Sequence, residues 1–137
     1  MPSPDPKLLE QMRAVQSAFN ARDFDRAFAG LAPDVEWRAG AWVFDETVLR
    51  GREAVIAFFA GLRESAGEWR VEAVEVHDGG EGRFVVHQRG HFEGRTTKLS
   101  GTLDFFQLFE LGDDGLVARV SEHATLDEAL EAARRAR

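Results

Sequence analysis

Leu8, Met12, Val15 and Phe19 recur at spacings of four, three and four, the signature of one apolar face of a helix. Asp5-Pro6 ahead of them reads as an N-cap followed by proline at the first helical position. Asn20-Ala21-Arg22-Asp23 interrupts the pattern. Asp23 then caps a second, short helix with Phe24, Ala27, Phe28 and Leu31 on its inner face, and Pro33 ends it. Asp34 to Arg38 alternates, with Val35 and Trp37 on one side and Glu36 and Arg38 on the other, which predicts a strand. From Ala39 to Arg50 no period is visible. An unpatterned stretch of that length is often a functional lid or mouth. Val55, Phe58, Phe59 and Leu62 mark a third helix starting near Glu53, with Gly67 as its stop.

The second half changes from a period of 3.6 to a period of 2. Trp69 to His77 and Arg83 to Phe92 read as strands separated by the turn Asp78-Gly79-Gly80-Glu81-Gly82. Glu93-Gly94-Arg95 turns the chain into Thr96–Leu111, a long strand or bent pair in which Gly101 marks a bulge. Gly112-Asp113-Asp114-Gly115 precedes the last strand, Leu116 to Ala124. Thr125 and Glu128 form a capping box for a final short helix carrying Leu126, Ala129, Leu130 and Ala133. The predicted order is α-α-β-α-β-β-β-β-α. Short turns between the late strands make them antiparallel. Helices gathered on one side of such a sheet give an α+β fold, and with no repeat or linker in sight the 137 residues are expected to form one domain.

Composition narrows the function. The chain is 44% hydrophobic and 30% charged, that of a folded chain rather than a disordered one. It has no cysteine, so thiolate nucleophiles, disulfides and cysteine zinc sites are excluded. The net charge of −7 and the absence of a basic stripe argue against nucleic acid. Arg134, Arg135 and Arg137 fall at a predicted helix end, where they complement the dipole. No apolar run is long enough to span a bilayer. The N-terminus lacks the basic flank and apolar run of a signal peptide, so a cytoplasmic location is the expectation.

Four segments carry a family resemblance: Ala18-Phe19-Asn20-Ala21-Arg22-Asp23-Phe24-Asp25, Pro33-Asp34-Val35-Glu36-Trp37, Arg50-Gly51-Arg52-Glu53-Ala54-Val55 and Asp127-Glu128-Ala129-Leu130-Glu131-Ala132. In order and spacing they resemble the SnoaL-like branch of the nuclear-transport-factor-2-like superfamily, across nearly the whole chain. The resemblance implies a cone: a strongly curved, mostly antiparallel sheet wrapped around N-terminal helices, with an internal, mostly apolar pocket. It also implies a small organic ligand and a homodimer formed through the sheet. The superfamily holds isomerases, cyclases, dehydratases, epoxide hydrolases and non-catalytic binders, so the fold alone selects none of them.

Several residues are candidates for chemistry. Asp104 stands among apolar neighbours, where an unpaired carboxylate would have a raised pKa suited to proton transfer. His87 and His91 share a strand face, but four residues span about 13 Å, too far for one metal without a sharp bend. No metal and no cofactor is expected. In isomerase-like relatives an acid on a late strand faces the cavity. Counting back from the Gly112–Gly115 turn puts Gln107 at that position, on the face of Phe105 and Phe109, with Asp104 on the other. Trp37 falls where those relatives carry their general base, so it is read as pocket wall. Trp42, Phe44 and Asp45 could close the mouth, Phe58 could line the pocket, and His123 stands where many SnoaL-like sequences have a tyrosine. This chain has no tyrosine at all. The phenolic donor of ketosteroid isomerase-like activity and the tyrosine–histidine set of scytalone dehydratase-like activity therefore cannot be assembled.

Two readings remain open. In one, Asp104 or His87 moves a proton on a small apolar carbonyl compound, with Gln107 or His123 polarising its oxygen, as in a cyclase or isomerase. In the other, the pocket binds a ligand without turnover, or the chain is a dimerisation module. What lines the cavity decides between them: an acid or histidine beside a second polar group favours catalysis, an apolar lining favours binding.

Overall fold

The computed structural model describes residues 6–39, 47–66, 68–93 and 100–136. Helices α1 (Pro6–Asn20) and α2 (Phe24–Ala27) lead into strands β1 (Leu31–Ala39) and β2 (Thr47–Arg50). Helix α3 (Arg52–Ala66) precedes β3 (Glu68–Asp78), β4 (Arg83–Glu93), β5 (Ser100–Leu111) and β6 (Val117–His123), and α4 (Leu126–Arg135) follows. The strands make one six-stranded sheet in the order β2-β1-β6-β5-β4-β3. Strands β3 to β6 form an antiparallel meander, with short turns joining β3 to β4 and β5 to β6. Strand β1 returns beside β6 from far away in the chain, free of any hairpin, and runs parallel to it. The sheet is α+β in class, mixed in pairing and not closed.

Bulges curve the sheet. Register slips occur between Ala73 and Glu75 of β3, between Glu110 and Leu111 of β5, and between Leu31 and Glu36 of β1. Each extra residue bends its strand. The concave face receives α1 and α3. Met12 and Phe19 from α1, with Val55 and Phe59 from α3, join Val35, Trp37, Val71, Phe84, Val86, Phe105, Phe109 and Val120 in one buried cluster. The convex face is covered at one end by α4, where Ala129 and Ala133 seat on Val85 and Leu108. Phe105 and Phe109 on one face of β5 are thus covered from the side of α1 and α3 and Leu108 on the other by α4, while Leu103 and Leu111 stay exposed.

The capping box is present: Thr125 Oγ1 accepts from Glu128 N at 3.1 Å, and Glu128 Oε2 accepts from Ala124 N at 3.3 Å. Gly51 adopts φ +95° in the turn between β2 and α3, a conformation that suits glycine. The neighbouring Arg52 fastens that turn by donating from Nε and Nη2 to the Leu31 carbonyl.

Four local expectations need correction. Leu31 lies in β1 rather than on a helix, and Pro33 sits inside that strand, exposed, within the interrupted stretch of pairing where its missing N–H is tolerated. The unpatterned segment hides β2, an edge strand of four residues paired antiparallel with β1. So short an edge strand has too few residues to display a period. Gly101 is not a bulge: β4 and β5 pair without a slip from Ser100 to Glu110. Its missing side chain leaves room for the Phe92 ring, whose Cζ would lie 3.1 Å from a Cβ there. The predicted start of β5 at Thr96 lies outside the described residues.

Candidate binding cavity

Alternation along the strands sorts every candidate to one face or the other. On β5, Phe105, Gln107 and Phe109 face inward and are buried. On β4 the inward set is Phe84, Val86 and Gln88. On β6 it is Val120 and, two residues on, Glu122, which pairs directly with Gln107. Between this surface and the helices lies a cavity of about 100 Å³. Met12, Val15 and Phe19 of α1 form one wall, and Trp37, Phe105 and Phe109 of the sheet form another. Edge-on aromatic contacts close one end, with ring centroids at 5.4 Å for Phe19–Phe59, 5.5 Å for Trp37–Phe59 and 5.8 Å for Phe28–Trp37. Such offset geometry favours the ring quadrupoles.

Polar atoms at the cavity are few. Gln16 and Gln107 bring amides and Trp37 brings an indole, while among the described residues no lining residue is ionisable. The Trp37 Nε1–H is buried and has no hydrogen-bond partner among the described residues. Leaving such a donor unpaired costs about 1–3 kcal/mol. Behind the lining runs a chain of side chains across three strands. Gln88 Nε2 donates to Gln107 Oε1 at 2.9 Å, and Gln107 Nε2 donates to Glu122 Oε2 at 2.9 Å. Gln88 is 0% exposed, yet its Oε1 has no donor.

Trp37, Phe105, Gln107 and Phe109 therefore line the cavity, and other candidates are placed elsewhere. Asp104 lies on the convex face, as the odd–even count against Phe105 requires. Arg89 grips it from both sides, Nε to Oδ1 at 2.8 Å and Nη2 to Oδ2 at 3.2 Å. The guanidinium, with a smaller contribution from His87, holds the Asp104 carboxyl below its ordinary range, the reverse of the raised value expected for a pocket acid. His87 is on the same convex face, stacked on Phe106 at 4.5 Å. Its Nε2 comes within 3.2 Å of Asp104 Oδ2, outside strict hydrogen-bond alignment. His123 is opposite Phe106 and beside Ser121, whose Oγ is 2.8 Å from its Nε2, again on the convex face. Phe58 packs edge-on against Phe59 at 5.1 Å and is not a lining residue, because adjacent helical positions point about 100° apart. Trp42, Phe44 and Asp45 lie outside the described residues.

This placement yields a sharp expectation. Asp104→Asn removes an exposed ion pair, so stability should fall by no more than ~1 kcal/mol. Because the carboxyl is lowered in the fold, that contribution exists above its unfolded pKa and fades as pH drops through its folded value. Urea titrations at neutral and acidic pH should show the variant and the parent converging as the pH falls.

Neither Glu122 nor Gln88 is among the site residues chosen from the sequence. The signal for Glu122 was the alternation Val120–Glu122, with Arg119, Ser121 and His123 on the opposite side. Nothing in the sequence marked Gln88, since Val85 and Val86 make both faces of β4 apolar.

Three comparisons place the architecture. A profile of the SnoaL-like domain matches residues 12–120. No curated protein matches the chain in sequence. Among solved structures, an NTF2-like protein of unknown function from Burkholderia pseudomallei is 25% identical, with a TM-score of 0.71 over 90% of this chain and 95% of that one. A protein of ketosteroid isomerase-like fold from Catenulispora acidiphila, solved with trimethylamine, is 11% identical, with a TM-score of 0.72 over 93% and 92%. A Mycobacterium tuberculosis protein solved with estradiol-17β-hemisuccinate is 19% identical, with a TM-score of 0.66 over 92% and 97%. Among the described residues no helix is long and apolar enough to cross a membrane. With the profile covering most of its length and the cone architecture matching, the chain belongs to the SnoaL-like family.

Proposed function

We propose that this protein binds one compact, largely apolar organic molecule in the cavity between α1 and the concave sheet face, without turning it over. The observation that carries this is the lining itself, which among the described residues is aromatic and aliphatic with two amides and an indole and contains no acid, base or nucleophile. General acid–base catalysis needs a titratable group within hydrogen-bond reach of the reacting atom. Asp104 and His87, the sequence-derived choices, face the other way.

Size restricts the ligand. Drug-sized sites occupy roughly 300–1,000 Å³, and an apolar cavity of roughly 150 Å³ takes up benzene. At about 100 Å³ the cavity suits a molecule smaller than either, with a five-membered ring near the upper limit. The steroid ligand of the Mycobacterium tuberculosis relative is well beyond it.

A second reading has one observation in its favour. The Glu122 carboxylate stands directly behind Gln107, 2.9 Å from its amide nitrogen. The carboxylate would act as a general base on a carbonyl compound that reached it past Gln107, taking the α-proton itself while the Gln107 N–H polarised the carbonyl oxygen. Cyclopentanone tests both readings. Titrated in heavy water and followed by NMR, it should shift the Trp37 indole resonance saturably, with a Kd of about 0.1–1 mM for so small a ligand. Its α-hydrogens should exchange no faster than in buffer. Absent shifts would remove the binding site, and accelerated exchange would restore the catalytic reading with Glu122 as its base.

A further inference from the structure

Resting on the ligand-binding reading above, we propose that Glu122 sets the hydrogen-bonding polarity of the cavity and commits it to ligands that bring an oxygen acceptor, of the ketone, ester or ether class. A carboxylate can only accept, whereas an amide donates from one side and accepts on the other. Facing Glu122, Gln107 must present Nε2, which turns its Oε1 toward Gln88 and obliges Gln88 to present Nε2 in turn. Flipping either amide alone would set two acceptors or two donors against each other. The orphaned Gln88 Oε1 is the trace of this one-way order.

The order decides what the ligand meets. Gln107 Oε1 is already engaged by Gln88. The second N–H of Gln107 Nε2 and the N–H of Trp37 remain, and both are donors on cavity-lining residues that are 5% and 4% exposed. Among the described residues no hydrogen bond fixes the Gln16 amide, so it can turn to suit either kind of ligand and does not set the preference. Glu122 itself is not a lining residue. It acts through Gln107, as a positioning residue for specificity.

The test compares three five-membered rings of similar size by NMR titration: cyclopentanone, an acceptor; pyrrole, an N–H donor; and cyclopentane, neither. The parent protein should bind cyclopentanone about tenfold or more tightly than pyrrole, the difference that one mismatched hydrogen bond makes. Glu122→Gln can present either its oxygen or its nitrogen to Gln107, so the relay can reverse. The ratio should then fall several-fold, while cyclopentane binding stays the same. A merely structural role for Glu122 would weaken all three probes together. Gln107→Met, which keeps the shape and removes the amide, should also lower the ratio, to the preference that the Trp37 N–H alone supplies, and it decides the matter if Glu122→Gln does not fold. Equal binding of cyclopentanone and pyrrole by the parent overturns the polarity proposal and leaves the binding site standing, as does a ratio unchanged in the folded variants. Failure of all three rings to bind the parent overturns the ligand-binding reading itself.

Discussion

Phe105→Ala is expected to lose about 3–5 kcal/mol of unfolding free energy, the range for removing a fully buried phenylalanine. Phe105 is 1% exposed and lies on β5, one of the two central strands. Its ring reaches over Gly90 on β4, where a Cβ would stand 3.7 Å from Cε1. The ring also forms part of the cavity wall, so its loss enlarges the space rather than letting the core collapse onto it. Urea denaturation should show a lower midpoint with an unchanged m value. Cyclooctanone, too large for the parent, should bind the variant. A stability loss under 1 kcal/mol would mean that Phe105 is not the wall it is taken to be.

Asn20→Ala should cost about 1–3 kcal/mol although residue 20 is largely exposed. The side chain mimics a strand neighbour: Nδ2 donates to the Val71 carbonyl and Oδ1 accepts from the Val71 N–H, both at 2.9 Å. Strand β3 is the last in the sheet, and on its other side Val71 pairs with Gly90 of β4. Asn20 thus ties the end of α1 to an edge strand and fixes how deeply the helix sits in the concave face. Both partners are half-buried backbone groups, which pay for lost pairing when water cannot fully replace it. Asn20→Asp should be destabilised too, because a carboxylate cannot donate to the carbonyl. Amide hydrogen exchange at Val71 should accelerate in both variants. Unchanged exchange would show that the helix is held by its apolar face alone.

Much of this fold was legible along the chain. The period of Leu8, Met12, Val15 and Phe19 located α1, and the Thr125–Glu128 box located the start of α4. The glycine-rich turns after β3 and β5 marked where the meander reverses. These are local signals: each depends on residues within one or two turns of one another, so no partner is needed to read them. Strand β2 was not legible, because four residues at an edge carry almost no period and are recognised only by their pairing with β1.

The site was harder to read for a related reason. Alternation shows which residues share a face, so Gln107 could be grouped with Phe105 and Phe109. It does not show which face looks inward when both are apolar, as on β4 and β5. Asp104, His87 and His123 were attractive by residue type, yet all three belong to the convex side. That sidedness is set by where α1, α3 and α4 dock.

From sequence alone came the α+β class, the element order apart from β2, the exclusion of thiol chemistry and the loss of the tyrosine-dependent activities, since these rest on composition and on contacts between near neighbours. Only the tertiary structure decided the cavity's size, the burial of Trp37 with an unpaired N–H, and the line Gln88–Gln107–Glu122. Those features join residues from different strands. Register and curvature, which sum interactions over the whole sheet, determine whether such side chains meet.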